Sequence, residues 1–397
     1  MYEDEMFEEE LYGQGRTKKK RNRFGKLLVF VQGVLTLAIM LLVFWLDMLP
    51  LRYVAAIGGV LLILWMITLM TQSFRTGRGV GKVYALLMIS VLSLGIGYLW
   101  KTNSMLGKLT DGEIFDFITE VDVDEEPFTI YVSGNDSYGE VTAEDGRSDV
   151  NILLTVNPNT RQILMTTTPR DYYVELPFGE GCWDKLTHAG NYGIDCSMQT
   201  LEALYDVEID YYLRVNFSGF ESIVNALGGV DVYSDYAFGT AGGYYFEQGY
   251  NSVDGAAALA FVRERYAFED GDVQRGKNQM AMIRAIMDKA MSPALVTGYL
   301  GLMDSVSDSF VTNMPKGSIS DLVKMQLSEG GSWNIVSNSV NGYVSEAYTY
   351  SDDSQMLSVM LQDEASVQYA AELSTGKNVP PLSARKSRNS PLSSAIF

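Results

Sequence analysis

Hydrophobic residues are concentrated in three uncharged runs within the first hundred positions, Leu27–Leu46, Tyr53–Phe74 and Val83–Trp100. Each run has about the ~20 apolar residues that a helix needs to cross the hydrocarbon core of a bilayer. The first run is too long for a signal-peptide core, and no small-residue cleavage site follows it. The pattern therefore predicts three transmembrane helices over residues 27–100, with buried helices of a soluble domain as the weaker alternative.

Basic residues flank these runs unevenly. Seven lysines and arginines precede the first run, three separate the second from the third, and only Arg52 lies between the first and second. Because positively charged loops stay in the cytoplasm, this asymmetry predicts a cytoplasmic basic tail over residues 1–26. Three crossings then place every residue after Trp100 outside the plasma membrane.

Beyond residue 100 the hydrophobic pattern changes to short alternating elements. Residues 101–126 are polar and acidic, which indicates a linker. β-Branched runs predict strands at FTIYVSG, VNILLTV (150–156), RQILMTTT (161–168), IDYYLRVNF and VDVYS. Helical spacing and capping residues predict helices at 196–206, 218–229, 251–266 and 272–291, and more weakly at 303–314, 318–328 and 354–362.

This order of elements indicates the fold class. Strands and helices alternate without strict βαβ repetition, which predicts an α/β domain over residues 127–375 with a mixed central sheet covered by helices. Residues 376–397 are rich in serine, proline and basic residues, a composition typical of a disordered tail.

The net charge of the chain argues against some classes of function. The chain has a formal net charge of −19, and the part after residue 100 contains 42 acidic and 19 basic residues. Nucleic-acid binding is disfavoured because it requires a basic surface. The same imbalance makes any group of arginines in this part of the chain informative.

Cysteine and histidine are scarce. The two cysteines, Cys182 and Cys196, allow a single pairing and lie in the portion predicted to be extracellular, so we expect a disulfide, with two free buried thiols as the alternative. His188 is the only histidine of the chain, so a zinc site or a Ser-His-Asp triad is poorly supported.

Charged residues stand at the ends of the predicted strands. Arg147 and Asp149 lie two positions apart just before a buried strand, so an extended backbone would point both side chains to the same face. Arg170 follows the next strand, and Asp136 lies in a turn after the strand FTIYVSG. Any one of these residues alone is more often structural than functional.

The segment FVRERYAFEDGDVQRGKNQ adds further cations. Arg263 and Arg265 are two positions apart, and Arg275 and Gln279 share one face of a predicted helix. Arginine offers planar donors to phosphate oxygens, and aspartate binds hard cations. Together with the strand-end residues, this set suits a diphosphate group with Mg²⁺ or Mn²⁺, and a solvated charged face is the alternative.

These motifs, in order, resemble the LytR–CpsA–Psr family of cell-envelope phosphotransferases. The likeness includes GRSDVNILLTV, TTTPRDYYVELP, KLTHAGNYG, YLRVNFSGFESIVNALGG and FVRERY with GDVQRGKNQ, and runs from about Phe128 to Met291. Three spans before the domain resemble the capsule-associated branch. The resemblance implies an extracellular α/β/α domain that transfers a polyprenyl diphosphate-linked glycan, such as capsule or teichoic acid, onto peptidoglycan and releases polyprenyl phosphate.

The resemblance also implies roles for individual residues. Asp136 and Asp149 match the positions that hold the divalent metal. The positions that contact the diphosphate and carry the catalysis are matched by Arg147, Arg170, Arg263, Arg265, Arg275 and Gln279. The chain departs from the family at Asn278, where a second arginine is usual, and in lacking the accessory domain of the capsule branch. A non-catalytic sensor of polyprenyl diphosphates and a diphosphate hydrolase remain alternatives.

Overall fold

The computed structural model describes residues 22–47, 49–73, 78–110, 121–138, 141, 146–269, 271–292, 306 and 309–375. The chain divides into two compact units, Met1–Trp100 and Lys101–Phe397. Most of the predicted basic tail and all of the predicted C-terminal tail lie outside the described residues.

The N-terminal part of the chain forms three long apolar helices. They are α1 (Arg23–Leu46), α2 (Leu51–Ser73) and α3 (Arg78–Thr110). Each contains a segment long and apolar enough to cross a membrane, as the three hydrophobic runs predict. Helix α3 continues ten residues beyond its predicted end at Trp100, so the first part of the expected linker is helical.

The second unit is built around a mixed six-stranded sheet. Its strands are β1 (Phe128–Asn135), β2 (Ser148–Asn157), β3 (Gln162–Thr167), β6 (Tyr211–Asn216), β11 (Phe310–Thr312) and β12 (Asn334–Ser339). Their order across the sheet is β11-β6-β1-β2-β3-β12, with β1 parallel to β6 and antiparallel to β2, and β12 parallel to β3. The mixed sheet confirms the predicted α/β class.

The described residues of this unit also form four two-stranded sheets. Their strands are β4 (Tyr173–Glu175), β5 (Trp183–Lys185), β7 (Val230–Ser234), β8 (Phe238–Gly239), β9 (Tyr245–Phe246), β10 (Gly249–Val253), β13 (Gly342–Thr349) and β14 (Asp352–Gln362). In chain order the sheets are β4–β5, β7–β10, β8–β9 and β13–β14. The helices of this unit are α4 (Leu186–Ala189), α5 (Ile194–Tyr205), α6 (Phe217–Ala226), α7 (Gly255–Arg263), α8 (Gly271–Ala290), α9 (Lys316–Glu329) and α10 (Glu364–Ser374).

Both faces of the central sheet are buried. On one face Tyr131 and Leu153 pack with Leu201 of α5 and Ala370 of α10. On the other face the neighbouring strand residues pack against α8 and α9, in a cluster that includes Phe128, Ile152, Met165, Met280 and Ile319. Successive strand residues therefore pack alternately against the two helical layers. Because both faces are buried, the strands are nearly continuous apolar runs in the sequence.

Three predicted helices differ from the structure. Residues 251–253 belong to strand β10, because Asp254 caps the helix by accepting a hydrogen bond from the Ala257 amide. The segment 303–314 contains strand β11 in its described part, paired with β6. Residues 354–362 form most of β14, which pairs along its length with β13, so cross-strand pairing overrides the helix-favouring methionines and leucines.

The expected disulfide is absent from the structure: Cys182 and Cys196 are both free thiols. They share a small apolar cluster with Leu176 and Ala189. Burial raises the pKa of the Cys196 thiol to about 11.

Candidate active site

A pocket of about 500 Å³ lies where the carboxyl ends of the parallel strands β1 and β6 meet the helices α6, α7 and α8. Ligands in α/β folds bind at this edge because loops and helix termini converge there. The predicted site residues that line it are Asp136, Asp149, Arg170, Arg263, Arg265, Arg275 and Gln279. The structure therefore brings together residues that are up to 143 positions apart in sequence.

An irregularity in the β1–β2 ladder presents Asp149 to this pocket. Gly134 pairs with Val150 and Asn135 pairs with Ser148, so Asp149 is an extra residue opposite the junction. A Cβ on Gly134 would lie 2.8 Å from the Cβ of Val150, so the backbone can approach this closely only at glycine. Such bulges re-aim side chains at the edges of sheets.

The same irregularity explains an unexpected feature of Arg147. The sequence predicts that Arg147 and Asp149 point to one face, since they are two positions apart. Arg147 is exposed and is not among the residues that line the pocket, whereas Asp149 is. The bulge interrupts the alternation on which the expectation depends. Residues 142–145, just before Arg147, lie outside the described part of the chain.

Arg170 and Asp149, which both line the pocket, form an ion pair. The Arg170 Nη1 atom lies 3.0 Å from Asp149 Oδ1. The Thr187 hydroxyl donates to the same oxygen over 3.4 Å. The side chains of Arg170 and Asp149 keep 29% and 20% of their exposure, so both remain accessible to a ligand.

Arg263 and Arg265 are held by aromatic rings that sequence reasoning did not identify. The Arg263 guanidinium lies 4.3 Å from the ring centroid of Phe217, and Arg265 lies 4.6 Å from that of Tyr266. Arg265 Nη2 also donates to the Tyr266 hydroxyl over 2.6 Å. These contacts orient the two cations, and both rings line the pocket. The sequence feature that could have identified Phe217 is its position directly after Asn216, the last residue of β6.

Glu264, between the two arginines, stabilises the turn that carries them. One of its carboxyl oxygens accepts from the backbone amides of Arg265, Tyr266 and Ala267 over 3.0, 2.8 and 3.0 Å. Glu264 is 9% exposed. Arg263 is the last residue of α7, and Glu264 has an extended backbone, so the chain leaves the helix at this point. In the sequence, Glu264 is recognisable only as an acidic residue between two arginines, and its burial is seen in the structure.

One face of α8 forms the long wall of the pocket. Arg275 and Gln279 lie at its polar end, followed one turn further on by apolar residues, Met282, Ile283, Ile286 and Met287. Met287 follows Arg275 by twelve positions, which corresponds to a rise of about 18 Å along the helix. The pocket is thus charged at one end and apolar along the rest of its length.

Asn278, the departure from the family motif, lies inside the protein rather than in the pocket. It is 2% exposed, accepts from Gln274 Nε2 over 3.0 Å and donates to the carbonyl of Phe261 over 3.5 Å. Asn278 therefore connects α8 to the end of α7 that carries Arg263. An amide at this position supports the site without adding a charge to it.

Asp136 and Asp149 are the residues that would hold a divalent cation at this site. Both carboxylates line the pocket, and Asp136 is exposed. The described residues contain no group of three or more histidine, cysteine or acidic side chains placed to bind a metal. Mg²⁺ is commonly bound by one or two carboxylates together with substrate phosphates, so this donor set fits it.

His188 has a structural environment outside the pocket. Its Nδ1 atom lies 2.7 Å from Asp184 Oδ1 and 2.9 Å from the Ser351 hydroxyl. Asp184 is fully buried. Burial acts to raise the pKa of Asp184, but hydrogen bonds from His188, Ser351 and the Lys185 amide outweigh it and lower the pKa.

A buried polar network lies beneath the turn before β2. Arg214 in β6 is fully buried and donates from Nη2 to the carbonyl of Gly146 over 2.9 Å. The hydroxyls of Ser133 and Ser148 lie 2.9 Å apart beside it. This network fixes the start of β2, and with it the backbone of Asp149.

Comparisons with known proteins agree with this architecture. A protein of Enterococcus faecalis named polyisoprenyl-teichoic acid–peptidoglycan teichoic acid transferase TagU is 32% identical over 247 residues, which cover 62% of this chain and 80% of that protein. The crystal structure of B. subtilis TagV aligns with a TM-score of 0.53 at 25% identity, covering 64% of this chain and 99% of that one. A structure of TagT bound to LIIa-WTA aligns with a TM-score of 0.52 at 28% identity, covering 68% and 98%.

The match to a family model covers the whole second unit up to α10. The model described as the LytR_cpsA_psr family matches residues 100–369, which include every residue assigned to the pocket. The chain therefore belongs to the LytR_cpsA_psr family.

Proposed function

We propose that the protein is a membrane-anchored transferase that moves a polyprenyl diphosphate-linked glycopolymer onto peptidoglycan and releases polyprenyl phosphate. The relatives named TagU are teichoic acid transferases, which makes a teichoic acid or a related polymer the favoured glycan.

The two-part pocket is the observation that carries this proposal. Arginines gather at one end, in a part of the chain that is otherwise strongly acidic, and the rest of the wall is apolar. A ligand that fits both ends has an anionic head and a long hydrocarbon tail. A polyprenyl diphosphate has this form, and planar guanidinium groups suit its phosphate oxygens.

The reaction requires charge neutralisation more than a protein nucleophile. An acceptor sugar hydroxyl would bond to the glycan-side phosphorus, and the bond from that phosphorus to the bridging oxygen would break. Polyprenyl phosphate would leave with the electron pair, and the hydroxyl proton would pass to the medium. Arg170, Arg263, Arg265 and Arg275 would hold the phosphate oxygens, with Gln279 as a neutral donor.

Asp136 and Asp149 are proposed as the ligands of Mg²⁺ or Mn²⁺. When bound, the cation would neutralise phosphate charge that develops as the leaving group departs. Arg170 pairs with Asp149, so the cation site and the anion site share one edge of the pocket.

The test uses the full-length protein with a polyprenyl diphosphate-linked glycan and Mg²⁺, with and without peptidoglycan. Transfer predicts polyprenyl phosphate together with glycan covalently attached to peptidoglycan. Polyprenyl phosphate and free phosphoglycan at equal rates without the acceptor would indicate a hydrolase instead. Binding of the donor without turnover under either condition would indicate a sensor.

The topology is proposed from the basic residues. A cytoplasmic N-terminus and three crossings place the second unit outside the cell. An impermeant thiol reagent applied to intact cells should label a cysteine engineered within residues 376–397 and should not label one at position 14, in a Cys182→Ser, Cys196→Ser background. The opposite labelling pattern would overturn the proposal.

A further inference from the structure

A group of exposed aromatic rings covers the β4–β5 hairpin, outside the pocket. We call this group the aromatic surface, and it consists of Tyr173, Phe178, Trp183, Tyr192 and Tyr350. The exposed fraction lies between 37% and 51% for four of them, Phe178, Trp183, Tyr192 and Tyr350. Because soluble domains bury most of their large aromatic side chains, such a concentration indicates a contact surface.

The rings contact one another in two sets. Tyr173 and Trp183 lie 5.4 Å apart between centroids. Phe178 lies 4.9 Å from Tyr192 and 5.6 Å from Tyr350. The Tyr350 amide donates to the carbonyl of Trp183 over 2.7 Å, which joins the second set to the hairpin.

The aromatic surface is preorganised from beneath. The Ser351 amide donates to Asp184 Oδ2 over 2.9 Å, and the other carboxyl oxygen of Asp184 contacts His188. Asp184 is fully buried in β5, whereas its neighbour Trp183 faces outward. The buried hydrogen bonds therefore fix Tyr350 beside Trp183 before any ligand arrives.

Polar groups accompany the rings on the outer face of the hairpin. Tyr173 pairs with Lys185 and Glu175 pairs with Trp183, so alternation places all four side chains on one face. A pyranose ring has the matching chemistry, with C–H groups on its flat face and hydroxyls at its edge. The C–H groups pack on the negative face of an aromatic ring, and the hydroxyls bond to carboxylate and ammonium groups.

This surface is continuous with the pocket. Arg170 lines the pocket and Tyr173 follows three residues later, a span of at most about 11 Å. Asp171 lies between them, with its carboxyl oxygens 3.6 Å from Arg170 Nε and 3.2 Å from Lys185 Nζ. A glycan bound on the hairpin can therefore extend to the charged end of the pocket.

The charge of the surface favours an uncharged glycan over an anionic one. Glu175 lies on it and Asp171 and Asp184 lie at its base, against the single ammonium of Lys185. We propose that the aromatic surface binds the uncharged N-acetylhexosamine backbone of a glycan strand and positions it for the reaction in the pocket. The proposal rests on the transferase function, since it assigns one of that enzyme's two glycans to the hairpin.

The test measures sugar binding without any diphosphate donor. Full-length protein, in a detergent without a sugar head group, is titrated calorimetrically with N-acetylglucosamine tetramer and, separately, with a glycerol phosphate oligomer. We expect the neutral tetramer to bind and the anionic oligomer to bind more weakly, which favours the acceptor strand over the donor polymer as its source. Trp183→Ala should weaken tetramer binding about ten-fold, and Trp183→Phe, which keeps a ring, should weaken it less.

The matched control is Tyr250→Ala, because Tyr250 is a 78% exposed tyrosine on β10 that lies outside the aromatic surface and the pocket. The proposal is overturned if the wild type does not bind the tetramer, or if Trp183→Ala and Tyr250→Ala bind it alike. It is also overturned if the protein binds only the anionic oligomer. Thermal melting confirms that each variant is folded. Failure here leaves the transferase proposal intact, because transfer is assayed separately with the donor present.

Discussion

Glu264 offers a sharp test of how the arginines are positioned. It contacts the backbone rather than the pocket, and it accepts hydrogen bonds from three consecutive amides. In Glu264→Ala these amides lose their acceptor. A hydrogen bond contributes about 1 kcal/mol net, and Tyr266 and Ala267 are exposed enough for water to replace part of the loss.

We therefore expect about 2 kcal/mol to be lost from the organisation of the turn. Because this turn orients Arg263 and Arg265, a loss of about 2 kcal/mol should lower kcat/KM for transfer roughly thirty-fold. Glu264→Gln keeps an oxygen that can accept hydrogen bonds, so it should recover most of the activity. The assay is transfer of a labelled glycan to peptidoglycan, with thermal melting of each variant.

Glu269→Ala is the matched control, since Glu269 is an exposed carboxylate in the same loop. It should leave kcat/KM within about two-fold of the wild type, as surface substitutions usually change little. The positioning role is wrong if Glu264→Ala and Glu269→Ala have the same kcat/KM. It is also wrong if the glutamine variant is as impaired as the alanine variant while both remain folded.

Further predictions concern the pocket and the buried groups around it. Arg263→Ala should weaken donor binding roughly ten- to hundred-fold, as expected for the loss of a charge-assisted contact. The control Arg284→Ala should not weaken it, because Arg284 lies outside the pocket. Equal donor binding by the two variants would favour a solvated charged face. Asp149→Ala should raise the Mg²⁺ concentration for half-maximal transfer at least about ten-fold, and an unchanged Mg²⁺ dependence would remove it from the metal site. Arg214→Met should lower stability by about 2–3 kcal/mol, seen as a lower melting temperature, while Arg214→Lys should lose less; an unchanged melting temperature would contradict the role of the buried network. Alkylation of unreduced, denatured protein should modify both cysteines, and linked peptides by mass spectrometry would contradict the free thiols seen at Cys182 and Cys196.

Much of the architecture follows from local pattern. The three membrane-length helices are predicted because each run is long and uncharged, and no other stable backbone solution exists for such a run in a bilayer. The helices α5, α8 and α9 are predicted to within a few residues at each end, because apolar spacing and capping residues act over one or two turns. Residues 354–362 form a strand rather than the predicted helix because they pair with the preceding strand, Gly342–Thr349, and this pairing overrides the helix-favouring spacing of their apolar residues.

For the site, too, the sequence predicts some features and the tertiary structure determines others. The residue types and the order of the motifs, from Asp136 to Gln279, were enough to predict an anion site and to indicate the family. Tertiary structure decided which of them meet. The bulge at Asp149 interrupts the alternation that would have placed it beside Arg147. The fold also brings Phe217, which follows β6, to 4.3 Å from the Arg263 guanidinium at the end of α7. Composition and spacing act along the chain, whereas register, bulges and ring contacts depend on pairings between distant segments.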